Sequence, residues 1–267
     1  MKKSIYLTTL SPIIQTVGQK AHKAWLNFDR RQTKLKSQTQ IVTAVDQVTE
    51  KALVKQIKKH FKDHAFLGEE YGASKKTSNY TWIIDPIDGT TNFSIHNPLW
   101  SISVGLAYQG EIIFGMIYAP VLQELFWAEK GRGAYLNGKR LRLTRQNIKN
   151  RNGKLIHAFC HGDKKRDLEI ALAYYRNQKL NALDCRQLGS AALELAYVAS
   201  GRIDSLVIPG AKSWDIAAGA LIAREAGAVV KDFSGQNWKV SSQDILTCHA
   251  EILPDVLKQI KKAYLRK

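Results

Sequence analysis

Residues 82 to 93 read Trp82-Ile83-Ile84-Asp85-Pro86-Ile87-Asp88-Gly89-Thr90-Thr91-Asn92-Phe93. Trp82 to Ile84 form a short, wholly apolar run, the pattern of a strand buried on both faces. That strand delivers Asp85 at its carboxyl end. Pro86 has no N–H and keeps the residue before it out of the helical region, so the strand ladder breaks there. Asp88 follows on the same tight turn. Two carboxylates held this close repel one another unless a cation lies between them. Mg2+ suits such a place, because it takes oxygen ligands and accepts phosphate as one of them. Gly89 lets the backbone approach a ligand, and Thr90, Thr91 and Asn92 open a helix whose free N–H groups and dipole favour an anion. The same residues also suit a surface turn with capping acids.

Working outward, Ile13, Val17, Ala21, Trp25 and Phe28 repeat at helical spacing and predict an amphipathic first helix. The polar, aperiodic stretch from Arg30 to Gln40 reads as a mobile loop. A second helix follows, capped by Thr43 or Asp46, with Val48, Ala52, Leu53, Ile57 and Phe61 on its buried face. Ala65 to Leu67 reads as a strand ending at Gly68-Glu69-Glu70, and Tyr80 to Ile84 as a second. From Trp100 to Thr144 alternating residues and the turns Gln109-Gly110 and Asn137-Gly138 predict an antiparallel meander. Strand-like Leu155–Phe159, helical Arg166–Asn177, helical Ala191–Ala199 ended by Gly201, strand-like Ile203–Ile208 and a small-residue helix Ser213–Ala226 follow. Sheets stacked between helix layers would bury all of this. We divide the chain into an N-terminal α+β part, 1–150, and a C-terminal α/β part, 151–267, which supplies Asp215 and substrate contacts. Taken singly, Glu69 is a solvated strand-end acid and Asp215 an acid complementing a helix dipole.

The chain has 267 residues, 45% hydrophobic and 24% charged, which is ordinary for a folded body with a large core. The formal charge of +17 is not ordinary. It attracts phosphates and nucleic acid in a salt-dependent way. The basic residues are spread along the chain without interleaved aromatics, so a solvated lysine-rich surface is favoured over a nucleic-acid platform. Cys160, Cys185 and Cys248 are odd in number and lack metal-knuckle spacing, which argues for a reducing compartment. No apolar run approaches the roughly 20 residues of a membrane helix. The short Ile5–Leu10 run lacks a cleavage site. Both point to the cytoplasm and away from a membrane partner.

The segment WIIDPIDGTTNF, with GEE at Gly68–Glu70 and WDIAAGALIAREAGA at Trp214–Ala228, closely resembles the inositol monophosphatase family, in order and over nearly the whole chain. The resemblance implies a layered α-β-α-β-α sandwich of the inositol monophosphatase and fructose-1,6-bisphosphatase type. It also implies hydrolysis of a small-molecule phosphate monoester, two to three Mg2+ ions per site, and a homodimer. Carried over by motif, Glu69, Asp85 and the carbonyl of Ile87 would hold one Mg2+, and Asp85, Asp88 and Asp215 a second. Gly89 and Thr90 would bind phosphate by backbone N–H groups. Thr90 and Asp46 would activate water, although Asp46 reads equally as a helix-start acid. Glu69 joins them as a catalytic candidate beside a third ion. Gly189, Ser190, Ala191 and Asp88 would contact the substrate. Lys34 and Lys36 match a lysine-bearing loop near the third ion. Ile208 stands where the family's glutamate contacts inositol hydroxyls, which puts fructose 1,6-bisphosphate, NADP and 3′-nucleotides beside inositol phosphate as substrates. Family members that act with the transcription and ribosomal RNA machinery make a nucleic-acid-associated regulator the less favoured alternative.

Overall fold

The computed structural model of the chain describes residues 4–36, 41–144, 154–180 and 184–264. Helix α1 (Ile5–Leu26) starts at Ser4, whose side chain accepts a hydrogen bond from Leu7 N. Strands β1 (Lys34–Leu35) and β2 (Ile41–Val42) pair antiparallel and lead into α2 (Ala44–His60). Thr43 caps α2 in a capping box with Asp46. The next eight strands form one sheet: β3 (Ala65–Gly68), β4 (Gly72–Ala73), β5 (Tyr80–Asp88), β6 (Ser101–Tyr108), β7 (Glu111–Ala119), β8 (Glu124–Glu129), β9 (Gly133–Leu136) and β10 (Lys139–Leu141), in the order β10-β9-β8-β7-β6-β5-β3-β4. Gln109-Gly110 and Asn137-Gly138 turn at positive φ, as the hairpins require. A single turn of helix, α3 (Thr90–Ser94), follows β5.

A second, five-stranded sheet holds β11 (Ile156–Phe159), β12 (Asp184–Arg186), β13 (Ser205–Pro209), β14 (Val229–Lys231) and β15 (Asp244–Cys248), in the order β12-β11-β13-β15-β14. Helices α4 (Lys165–Leu180) and α7 (Leu253–Tyr264) cover its outer face. Helices α5 (Ala191–Ala199) and α6 (Ser213–Ala226) fill the space between the two sheets. The result is five layers, α-β-α-β-α. The residue pattern explains it. Trp82 and Ile84 face the core under α1 and α2, while Ile83 faces the middle layer, so this strand is apolar on both sides. α5 is buried all round and correspondingly apolar.

The small residues of α6 have a mechanical purpose. Gly105 and Gly115 lie opposite one another on β6 and β7. A Cβ on Gly115 would sit 2.7 Å from the carbonyl oxygen of Ala218 and 2.9 Å from its Cα. Only glycine lets α6 settle on the sheet, and α6 carries Asp215 in its first turn.

Several sequence expectations need correction. α1 begins at Ile5, so the apolar run Ile5–Leu10 is its first turns, and Phe28 packs in the core beyond its end. The stretch 30–36 is a 3-10 turn followed by a paired strand rather than a loop, because Leu35 and Lys34 find backbone partners in Ile41 and Val42; residues 37–40 of that expectation lie outside the described residues. Val48 is 66% exposed, since buried Thr49 and Glu50 take the inner face of α2. β5 does not stop at Asp85: pairing with β6 resumes at Asp88 after a shift in register. β12 and β14 are three-residue strands, too short to show an alternation, whereas β15 and α7 went unanticipated although Val256, Ile260 and Ala263 recur at helical spacing. We expect Gly115→Ala to cost about 1–3 kcal/mol, as overpacking does. Urea unfolding would detect it, and unchanged stability would contradict the close approach of α6.

Candidate metal centre

Three elements end at one place. β3 and β5 are parallel neighbours with Gly68 opposite Ile84, so both finish on the same side of the sheet. Glu69 follows β3, its N–H donating to Ile84 O at 3.1 Å. Asp85 is the next residue of β5. Pro86 interrupts the ladder between Asp85 and Asp88, and Asp85 Oδ1 accepts from Ile87 N at 2.9 Å. On the neighbouring strand, Ser103 is opposite Asp85 and donates to Trp214 O at 3.3 Å. That bond fastens the start of α6 beside Asp85 and brings in Asp215. One carboxylate oxygen from each of Asp85, Asp88 and Asp215 lies within 4.8 Å of the others. Glu69 is close enough to Asp85 for its charge to raise that carboxyl.

The electrostatics follow from burial. Desolvation first, and then the charges of Glu69, Asp88, Asp215 and Asp46, push Asp85 well above the ordinary carboxylate range. Burial and then Asp88 and Glu69 do the same to Asp215. Glu69 is raised by burial, against the pull of Lys36. Burial lifts Asp88 to about 6, opposed by hydrogen bonds from Ser190, Ala192 and Ala191. Those donors are the free first turn of α5: Ser190 Oγ and Ala192 N reach Asp88 Oδ2, the latter at 2.8 Å, and Ala191 N reaches Oδ1 at 3.2 Å. Among the described residues, the cation ion-paired within this group is Lys36, 3.1 Å from Glu69 Oε1 and 2.6 Å from Glu70 Oε1. A buried set of mutually repelling carboxylates, all oxygen and without thiol or imidazole, fits a hard divalent cation such as Mg2+.

Thr90 and Asp46 also meet. Thr90 Oγ1 donates to Asp46 Oδ1 at 3.0 Å and lies 3.1 Å from Ile87 O. The other oxygen of Asp46 accepts from Thr43 N at 2.9 Å and Thr43 Oγ1 at 2.6 Å. One side chain therefore completes the cap of α2 and engages Thr90. Burial raises Asp46 to about 6, against the hydrogen bonds from Thr43 and Thr90. Gly89 adopts a φ of 96°. A Cβ there would lie 3.0 Å from Gly189 O and 3.1 Å from Leu99 O, so the segment at Gly189, Ser190 and Ala191 closes against the start of α3. Ile208 is buried in β13 against the middle helix layer.

Four positioning residues escaped the sequence reading. Buried Glu50 accepts from Glu70 N at 2.8 Å and Tyr71 N at 3.2 Å, and a Cβ on Gly68 would fall 1.9 Å from its Oε1. Glu50 thus shapes the turn that aims Glu69. Asn92 Nδ2 donates to Leu99 O at 2.6 Å and Leu188 O at 2.7 Å, tying α3 to the segment before α5. Glu194 accepts from Leu188 N at 2.5 Å, and burial raises it to about 8. Ser103 is the fourth. Glu50 and Glu194 could have been found as acids on otherwise apolar helix faces; nothing local marks Ser103.

The model of the inositol monophosphatase family matches residues 4–265. A relative from Pasteurella multocida named "Nus factor SuhB" is 38% identical over 245 residues, covering 91% of each chain. An "Inositol-1-monophosphatase" from Mesorhizobium japonicum is 34% identical over 263 residues, covering 98% of each. The solved structure of a Thermotoga maritima IMPase superposes with a TM-score of 0.86 at 31% identity, covering 98% of both chains. No described helix is long and apolar enough to cross a membrane.

A carboxyl whose value is raised by folding stabilises the fold while protonated and opposes it once ionised. Chelated protein is therefore expected to lose stability as pH rises from about 4, the unfolded value, through the folded values of about 6 for Asp88 and Asp46, with Asp85 and Asp215, both raised well above the ordinary carboxylate range, adding to the loss in the same direction. Mg2+ binds the ionised form and should flatten the loss, by about 2.7 kcal/mol at a hundred times its Kd. Thermal melts in EDTA and in Mg2+ check this; identical pH dependence in both would contradict it.

Proposed function

The chain belongs to the inositol monophosphatase family, and we propose that it hydrolyses a small-molecule phosphate monoester with Mg2+ held by its carboxylate cluster. The observation that carries this reading is the convergence of Asp85, Asp88 and Asp215 within 4.8 Å, beside Glu69 on the adjoining strand end. In this reading Glu69, Asp85 and the carbonyl of Ile87 hold one ion, Asp85, Asp88 and Asp215 a second, and Glu69 borders a third. When bound, such ions make a coordinated water more acidic and neutralise charge on the leaving oxygen.

The chain's own groups do the rest. The N–H groups of Gly89 and Thr90, at the open start of α3, hold the phosphate oxygens. Asp46 keeps the Thr90 hydroxyl pointed towards itself, which leaves the Thr90 oxygen free to accept from the attacking water and orient it. The proton passes by Thr90 to Asp46, which burial makes a better proton acceptor than an exposed carboxylate and which then gives the proton back. Water attacks phosphorus, the ester oxygen leaves with the bonding pair, and a second water protonates it. Gly189, Ser190 and Ala191 border the alcohol part of the substrate, with Asp88 anchored on the Ser190 hydroxyl and the N–H groups of Ala191 and Ala192. Ile208, which stands where the family's inositol-contacting glutamate does, is apolar and buried, so that hydroxyl acceptor is missing here. Fructose 1,6-bisphosphate, NADP and 3′-nucleotides therefore stand beside inositol monophosphate.

We expect Asp85→Asn and Asp88→Asn each to lower kcat/KM by about a thousandfold, roughly 4 kcal/mol of transition-state stabilisation. Thr90→Ala should cost about a hundredfold. Phosphate release from the four substrates at saturating Mg2+ measures this, with melting in Mg2+-free buffer as the folding control. Wild-type turnover in both asparagine variants, while they remain folded, would end the hydrolytic assignment.

A further inference from the structure

The net charge of +17 is not spread evenly over the fold. Helices α1 and α2 pack against one another on the outer face of the large sheet. α1 contains no Asp or Glu, and the two acids of α2, Asp46 and Glu50, are both 1% exposed. This layer therefore presents no carboxylate to solvent from either helix. It does present lysines. Lys51, Lys55 and Lys58 are exposed at i, i+4 and i+7, on one stripe of α2, with Lys59 beside them. None of the four is ion-paired to a carboxylate among the described residues; Lys59 bonds to Gln56 Oε1 at 3.0 Å.

The stripe continues past the helix. Lys62 follows in the turn, and Lys76 Nζ reaches Lys62 O at 2.8 Å and Asp63 at 3.0 Å. From α1, exposed Lys20 and Lys23 flank the same layer. Lys58 and Lys59 sit where a helix carbonyl end favours cations, but Lys51 and Lys55 are a turn or more earlier and gain nothing there. At 1.5 Å per residue the stripe advances about 4.5–6 Å along the helix axis from one lysine to the next. That step is comparable to the distance between neighbouring phosphates of an extended nucleic-acid strand. The helices α4 and α7 differ: there exposed Glu169 and Asp255 lie within the helices themselves, whereas the exposed acid nearest the α2 lysines, Asp63, falls after the helix and is ion-paired to Lys76.

We infer that the exposed lysine face of α2 is a docking track for the sugar-phosphate backbone of a single-stranded polynucleotide. The lysines supply point charges to phosphates and read no bases, so binding is salt-dependent and tolerant of sequence. A membrane surface fits less well, because Val48 is the one large apolar side chain among the exposed positions of α2, and those after it are lysine and histidine. At its amino end the track meets Tyr71, 60% exposed, whose hydroxyl contacts Gln47 O at 3.5 Å and whose ring is open for a base to stack on. The inference is independent of the phosphatase reading, since none of these lysines belongs to the carboxylate centre.

The test is fluorescence anisotropy of a labelled oligouridylate of about 12 nucleotides with the full chain in Mg2+. Wild-type protein should lose affinity steeply between about 50 and 200 mM KCl. The variant Lys51→Gln/Lys55→Gln/Lys58→Gln/Lys62→Gln should bind at least tenfold more weakly, its log–log salt slope shallower by about 3, at roughly 0.7 for each phosphate no longer neutralised. Its melting temperature and its phosphate release should match wild type. A control variant, Lys164→Gln/Lys165→Gln/Lys261→Gln/Lys262→Gln, should bind as wild type does. The inference is overturned if wild type does not bind, if the track variant keeps the wild-type slope, or if the control variant weakens binding equally. Tighter binding to a duplex of equal charge, or to phosphatidylserine vesicles, also overturns it.

Discussion

Carboxylates from three distant segments share one small, largely buried volume, and their mutual repulsion is the constraint around which the rest is arranged. Asp85 and Asp215 have no lysine or arginine ion-paired to them among the described residues, and Asp88 is met by neutral donors. Burying such a group uncompensated is expensive, and a divalent cation is the inexpensive remedy. The fold contributes the geometry that makes the remedy available. Parallel β3 and β5 bring Glu69 and Asp85 to the same sheet end, and the free turn of α5 receives Asp88.

Positioning is achieved at some distance from the carboxylates. The paired glycines at 105 and 115 let α6 lie close on the sheet, and Ser103 fastens its first turn. Asn92 and Glu194 hold the segment before α5 from two sides. Glu50 fills the space over Gly68 and accepts from the following turn. Each of these residues works through the backbone, and each fixes where a carboxylate of the cluster or the start of α3 or α5 lies. Packing between elements far apart in sequence thus sets the precision of the site.

Much of this was legible beforehand, and for identifiable reasons. The strand Trp82–Ile84, the hairpin dipeptides and the small-residue helix 213–226 carry local patterns that tertiary context reinforces. The meeting of Asp85 and Asp88 was legible because they lie three residues apart on one turn, while Asp215 and Glu69 stood out only through the resemblance of their segments to a family. What stayed hidden was relational. Ser103 is one serine among many until its register opposite Asp85 is known. Val48 looked like core because its spacing is helical, while a buried acid, Glu50, held the inward position instead. The lysines of α2 looked dispersed in sequence, because the absence of exposed acids on α1 and α2 emerges only once the two helices are seen side by side.

Diffraction from crystals grown with Mn2+ in place of Mg2+ bears most directly on the central claim, since anomalous scattering locates the ion without reference to activity. The account requires a peak bridging Asp85, Asp88 and Asp215, with a second between Glu69 and Asp85. Density free of any such peak at saturating Mn2+, with the carboxyls instead bonded to one another, would contradict it.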